Sequence, residues 1–270
     1  MAQFNGKVAI VTGSTQGLGK AVARLLAERG AAGIVICGRN KARGEATAKE
    51  ITAAYGTKTI FVPTEQSKIE DCKNIISTAD KIFGRIDTLI NCAAITNRGT
   101  ILNTTPELFD AMFDTNVRGP FFLIQETLMV MIREKIEGTI VNIGSMSAKA
   151  GQPFLTAYCS SKGALATLTE NIAFSVLRNR IRVNGLNIGW MASEGEHLIQ
   201  QSDGNPPDWL EKAATQQPFG RLIDPNEVAR AVAFLASSES GLMTGANVNY
   251  DQSVWGAYEG SPHPSKAMTL

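Results

Sequence analysis

The sequence predicts an α/β fold, with one doubly wound parallel sheet and helices on both faces. Two observations predict it. Apolar runs of strand length alternate with segments whose apolar residues recur at helical spacing, the rhythm of a parallel sheet built through crossover helices. The strand-length runs, such as Val8-Ala9-Ile10-Val11, lack polar alternation, as strands covered on both faces require. A chain of 270 residues accommodates one sizeable core and hardly two, so a single domain over 1–270 is expected.

The elements follow in order. Val8–Val11 is the first strand, and after a glycine-rich turn residues 20–29 carry Ala and Leu at helical spacing, closed by Gly30 in the manner of a helix C-terminus. Residues 34–37 form the second strand, Lys41–Tyr55 a charged helix, 59–62 the third strand, Ile69–Phe83 a helix stopped by Gly84, and Thr88–Asn91 the fourth strand. A long helical pattern covers 106–131, with Gly119-Pro120 as the expected break. A strand over 138–143, a helix over 156–177, a strand over 181–186, a helix over 225–235 and a last strand over 246–250 complete the series. Residues 195–217 show no clear periodicity and contain the turn formers Asp203-Gly204-Asn205-Pro206-Pro207. That stretch is read as a substrate lid loop, and 252–270 as an irregular C-terminal tail.

Composition narrows the function classes. The net charge is +1 and Lys/Arg clusters are missing, so neither nucleic acid nor a membrane surface is an expected partner. The chain has no apolar run of spanning length and no leader-like start, which gives a cytoplasmic protein as the expectation. Cys37, Cys72, Cys92 and Cys159 form no CxxC pair and only two histidines accompany them. Reduced, packed thiols are expected, with no metal site.

The turn after the first strand reads Thr12-Gly13-Ser14-Thr15-Gln16-Gly17-Leu18-Gly19. Strand, glycine turn and helix are the setting of a dinucleotide pyrophosphate, because glycine lets the backbone approach the phosphates and the helix start offers free N–H groups. This is the Rossmann-type arrangement, with G-x3-G-x-G in place of the commoner GxGxxG; a tight strand–helix turn alone would use similar residues. At the end of the second strand, Gly38-Arg39 stands where a carboxylate would bind the ribose hydroxyls of NAD. A guanidinium suits a 2′-phosphate, so NADP(H) is favoured over NAD(H).

Tyr158 and Lys162 lie four residues apart on one helix face. A phenol is a poor proton-transfer group at neutral pH, and a nearby ammonium is expected to favour its phenolate and lower its pKa. YxxxK by itself also describes a packed Tyr beside a snorkelling Lys. Ser145, at the carboxyl end of the fifth strand, adds a hydroxyl where ligands collect in such sheets.

With these motifs in order, the chain resembles the short-chain dehydrogenase/reductase family over about residues 5–251. The family's TGxxxGxG falls on Thr12 to Gly19, its NNAG on Asn91-Cys92-Ala93-Ala94, its helix asparagine on Asn116, and its serine, tyrosine and lysine on Ser145, Tyr158 and Lys162. The resemblance implies that Tyr158 is general acid in reduction and base in oxidation, and that Ser145 holds the substrate oxygen. It implies that Lys162 also binds the nicotinamide ribose, and that Asn116 holds a water in a relay to Lys162. It places Asn91 and Ala93 beside the cofactor, Glu65-Gln66 near the adenine (with Glu for the family's Asp), and Gly189, Met191 and Ser193 near the nicotinamide and phosphates. Ile188 replaces the proline of the family's N-P-G, and Asp251-Gln252-Ser253 replaces Asp-Gly-Gly or Asp-Gly-Ser.

Substrate choice is assigned to Ser147, Gln152, Trp190 and His197, with Phe154 and Trp209 nearby, although amphipathic lid packing would use the same aromatics. A small molecule bearing a secondary alcohol or carbonyl, of sugar or polyol type, is the expected substrate. A 3-oxoacyl thioester or ketone is the alternative within the same chemistry, and epimerisation or dehydration of a nucleotide sugar a third. A redox-sensing module that binds dinucleotide without turnover is the alternative of another class. The resemblance implies a homo-oligomer, a dimer or a homotetramer, paired through helices in 106–131 and 156–177.

Overall fold

The computed structural model describes residues 3–149 and 151–256. Its seven strands are β1 (Val8–Val11), β2 (Gly33–Gly38), β3 (Lys58–Pro63), β4 (Thr88–Asn91), β5 (Thr139–Ser145), β6 (Arg182–Ile188) and β7 (Asn247–Tyr250). They form one parallel sheet in the order β3-β2-β1-β4-β5-β6-β7. The chain begins in the middle, builds outward through β2 and β3, and returns to pair β4 on the other side of β1, with Val11 between Ile36 and Ile90. That reversal opens a crevice at the carboxyl ends of β1 and β4, where ligands bind in open α/β sheets.

The helices are α1 (Gly17–Glu28), α2 (Lys41–Tyr55), α3 (Ile69–Phe83), α4 (Pro106–Phe113), α5 (Gly119–Arg133), α6 (Thr156–Ser175), α7 (Glu194–Ser202), α8 (Trp209–Thr215) and α9 (Pro225–Ala236). One core lies where α1, α2 and α9 cover the sheet, through residues such as Val22, Ile51 and Val232. A second lies under α3, α5 and α6, through Ile75, Leu123 and Ala173. The boundaries are chemical: Asn40 caps α2, Gly56 and Gly84 close α2 and α3 in the left-handed region, and Asp224 with Glu227 forms a capping box on α9.

Three features refine or differ from the expectations. The long helix over 106–131 is interrupted near Gly119-Pro120, as expected, but the break is a π-helical turn over Asp114–Arg118 rather than a loop. Pro120 lacks the N–H that a continuous α-helix needs there, and the wider turn takes up the mismatch. Residues 195–217 are not an irregular loop: they hold most of α7 and all of α8. Ser193 caps α7 through a bond from the Glu196 N–H, and Trp209 anchors α8 with 5% exposure. Both helices are too short to show periodicity. Strands β5 and β6 run two residues further than expected, so that Ser145 pairs with Ile188. Of the C-terminal tail, residues 257–270 lie outside the described residues. Among the described residues, no helix is long and apolar enough to cross a membrane.

Candidate active site

The glycine turn lies at the floor of an open cleft of about 1420 Å³ above the carboxyl ends of the strands. Gly13 has φ 61°, and a Cβ there would come within 2.8 Å of Ala93 Cα; only glycine lets the β1–α1 turn and the segment after β4 approach so closely. Thr12 Oγ1 fixes that approach, accepting from the N–H groups of Cys92 at 3.0 Å and Ala93 at 2.9 Å. Ser14 is buried and points away from the cleft. Its hydroxyl donates to the Val11 carbonyl and accepts from the Cys37 N–H at 3.0 Å, pinning the turn to β2. Thr15, Gln16, Gly17, Leu18 and Gly19 line the cleft with Gly13. Gln16 is the N-cap of α1 and makes no side-chain cap bond, so the first N–H groups of α1 meet the cleft without a capping side chain. Uncommitted donors at the positive end of a helix dipole, beside a backbone cradle, fit a diphosphate.

At one end of the cleft Arg39 follows β2, exposed, and Arg43 lies one helical turn further on. Arg43 donates to Gln16 Oε1, which places it beside the glycine turn, and Arg39 lines the same cleft. Arg43 was legible only as the i+4 companion of Arg39 and was not singled out from the sequence. Glu65 lines the same end, its N–H held by Asp71 at 2.8 Å. The buried Gln66 side chain donates to the carbonyls of Thr115 at 2.7 Å and Ala93 at 3.2 Å, and its Oε1 has no partner. Gln66 therefore ties the end of β3 to the π-helical turn and retains one unspent acceptor. Asn91 is behind the cleft, donating to Asn142 Oδ1 at 2.8 Å; Asn142 donates to Thr169 on α6 at 2.9 Å.

The floor beyond the cradle is formed by Ser145, at the end of β5, and by Tyr158 and Lys162 on α6. Ser145 Oγ accepts the Ser147 N–H at 3.1 Å. Lys162 is buried, donates to the Ile143 carbonyl at 2.8 Å, and has Nζ 5.7 Å from the centroid of the Tyr158 ring. The expected lowering of the phenol is not what this geometry gives. Burial pushes Tyr158 up to about 12, against the hydrogen bond with Ser145, and the Glu196 charge adds to the rise. Burial also pushes Lys162 down to about 8. Desolvation disfavours both charged forms and is the leading cause of both shifts. Asn116 sits on the π-helical turn, a geometry frequent at functional sites. Its amide is fully engaged: Oδ1 accepts from Ile95 N–H at 2.9 Å, and Nδ2 donates to the Ile95 carbonyl at 3.0 Å and to Ser161 at 3.1 Å.

The far end of the cleft is polar. Ser147 donates to Gln152 Oε1, and Trp190 Nε1 donates to Glu196 at 2.9 Å. Gly189 and Met191 line the cleft, and Ser193 both lines it and caps α7. His197 does not line the cleft. It accepts from Trp209 Nε1 at 2.9 Å through Nδ1 and meets Gln201 at 3.0 Å through Nε2, which ties α7 to α8. Trp209 is likewise absent from the lining and stacks on Trp190 at 6.2 Å. Arg98 and Asp203 form an ion pair in which both partners line the cleft, with the Arg98 guanidinium 5.2 Å from the Phe154 ring centroid. Sequence spacing gave no signal for this pair, whose partners are 105 residues apart.

Comparison with known proteins agrees with this geometry. A family profile described as Enoyl-(Acyl carrier protein) reductase matches residues 13–253. A solved structure described as a short chain dehydrogenase/reductase family protein is 32% identical with a TM-score of 0.81, covering 93% of this chain and 97% of its own. The chain belongs to the short-chain dehydrogenase/reductase family. An uncharacterised oxidoreductase of Thermotoga maritima is 35% identical over 92% of this chain and 97% of its own length. Galactitol 2-dehydrogenase of Agrobacterium fabrum is 29% identical over 94% and 99%. L-Sorbose reductase from Gluconobacter frateurii, solved with NADPH and L-sorbose, is 25% identical with a TM-score of 0.89, covering 96% of this chain and 100% of that one.

This short-chain dehydrogenase/reductase departs from the family pattern at two points that the structure explains. Ile188 takes the proline's place as the last residue of β6, paired on one side with Ser145 and on the other with Tyr250, and packs against the core. Gln252 takes a glycine's place and accepts from the Phe219 N–H at 2.9 Å while donating to the Arg221 carbonyl at 2.6 Å. The side chain clasps the segment between α8 and α9 to the end of β7.

Proposed function

We propose that this oxidoreductase interconverts a secondary alcohol and a ketone on a neutral, polyhydroxylated small molecule, with NADP(H) as cofactor. One observation carries the reading. Ser145, Tyr158 and Lys162 share the floor of a cleft whose adjoining wall is the uncapped start of α1. A nicotinamide dinucleotide supplies or accepts the hydride when bound. The remaining work falls to the chain. In reduction Tyr158 donates its phenolic proton to the carbonyl oxygen, and in oxidation it takes the hydroxyl proton. Ser145 orients that oxygen by hydrogen bonding. Lys162, fixed by Ile143, holds positive charge beneath the phenol, and the Asn116 amide keeps the turn after β4 in place beside it. The glycine turn and α1 seat the diphosphate.

Preference for NADP(H) rests on Arg39 and Arg43, two guanidinium groups without a carboxylate from β2 between them and the adenosine end. Charge-assisted bonds to a 2′-phosphate are what such a pair offers. The polyol reading rests on the polar far end of the cleft and on the sugar and polyol relatives. A homo-oligomer is supported by exposed apolar side chains on α5 and α6, Phe121, Met129, Ile132 and Phe174; sedimentation velocity giving a monomer at micromolar concentration contradicts it.

Steady-state assays test the function: ketohexoses, hexitols, aliphatic diketones and 3-oxoacyl thioesters, each with both nucleotides. The proposal expects the highest kcat/KM for a ketohexose or hexitol with NADP(H). Dinucleotide binding without turnover of any carbonyl, or a preference for oxoacyl thioesters, overturns it.

A further inference from the structure

Glu196 lines the cleft and forms no ion pair among the described residues, and its carboxylate is held in place by neighbouring side chains. It lies near the start of α7. One carboxylate oxygen is held twice, by Trp190 Nε1 at 2.9 Å and Gln200 Nε2 at 2.6 Å. Gln200 is itself 6% exposed and fixed by Asn205 Nδ2 at 2.7 Å. The carboxylate's orientation is therefore set by three side chains, one of them buried, rather than left to a free surface rotamer. The second oxygen accepts no hydrogen bond among the described residues. Arg98 and Asp203 neutralise each other, and the Asp251 carboxylate, which also lines the cleft beside Gly189, is engaged by Ser253, so Glu196 is the carboxylate that offers a substrate a held oxygen beside Trp190. Tyr158 lies close enough to feel its charge.

We propose that Glu196 determines specificity for the reaction: its free carboxylate oxygen accepts a hydroxyl of the substrate, and its charge turns away carbonyl compounds in which a carboxylate or phosphate takes the place of a sugar hydroxyl. This rests on the polyol reading above and deepens it. A charge-assisted hydrogen bond is among the stronger ones a neutral sugar can make, whereas an anion brought to the same place meets like charge in a partly desolvated cleft. Trp190 contributes twice, as the donor that holds the carboxylate and as an apolar face stacked on Trp209.

The test is Glu196→Gln, which keeps a carbonyl oxygen for Trp190 and Gln200 and removes the charge. Three substrates suffice: a ketohexose, its 5-ketogluconate counterpart as the anion, and 2,3-butanedione as a carbonyl without hydroxyls. The variant is expected to lower the ketohexose-to-butanedione ratio of kcat/KM at least tenfold, chiefly through KM. It is expected to raise the 5-ketogluconate-to-ketohexose ratio at least tenfold. Intrinsic tryptophan fluorescence titrated with a hexitol gives a second reading, with an expected tenfold rise in Kd. Ratios and Kd within twofold of wild type overturn the proposal. The two readings separate cleanly: wild type preferring butanedione to the ketohexose defeats the polyol function, while an unmoved ratio on substitution defeats the role of Glu196.

Discussion

The Lys162 ammonium donates to the Ile143 carbonyl at 2.8 Å, one helical turn from Tyr158. That bond fixes the cation beneath the phenol from the end of β5, and burial brings its loss of charge down to about 8. Tyr158, pushed up to about 12 by burial, keeps its proton through the neutral range.

The pH dependence follows from these directions. Lys162 is charged below about pH 8 and neutral above it. Reduction, which needs Tyr158 to give a proton and regain one, should be level up to that pH and fall above it. The pH profile of kcat/KM checks this, and Lys162→Arg should push the upper limb beyond the measurable range, since a guanidinium does not titrate there. A limb unmoved in the arginine variant assigns it to another group.

Cofactor choice should reside in the two guanidinium groups beside the cradle. Replacing Arg39 and Arg43 by alanine should raise KM for NADPH by about 10- to 100-fold, the loss of one or two charge-assisted bonds, and leave NADH almost unaffected. Parallel kinetics with the two nucleotides make the comparison, and equal losses with both contradict the assignment.

Stability should depend on a carboxylate far from the cleft. Asp87 is buried and accepts from the Val8 N–H at 2.9 Å, from Arg85 at 2.7 and 2.9 Å, and from Lys7 at 3.2 Å. Burial pushes its carboxyl up, but these donors outweigh it and hold the group below the usual range. The folded state therefore gains stability that is complete above the ordinary carboxylate pKa and is lost as pH falls through the depressed value. Asp87→Asn should cost about 1–3 kcal/mol at pH 7, and the difference should shrink towards pH 3. Urea titrations at the two pH values measure it.

The sheet was legible because its strands are buried on both faces and its helices end on glycine or begin on caps. Each of those is a local signal. The residues proposed for catalysis were legible because Tyr158 and Lys162 share one helix and Ser145 ends one strand, so short spacings report them. What the sequence hid is long-range or tertiary. The ion pair of Arg98 with Asp203 joins segments brought together only by the fold. The net effect of burial on Tyr158 and Lys162 depends on the surrounding packing, which spacing cannot show. Helix α8 packs through only Trp209 and Ala213, and seven residues give no periodicity to read.

The most direct test of the account is Tyr158→Phe, measured for both NADPH binding and turnover. Loss of the proton donor alone should lower kcat about 10²- to 10⁴-fold while the variant still binds NADPH, seen as retained nucleotide fluorescence enhancement. Turnover equal to wild type would contradict the assignment of Tyr158 as the acid and base.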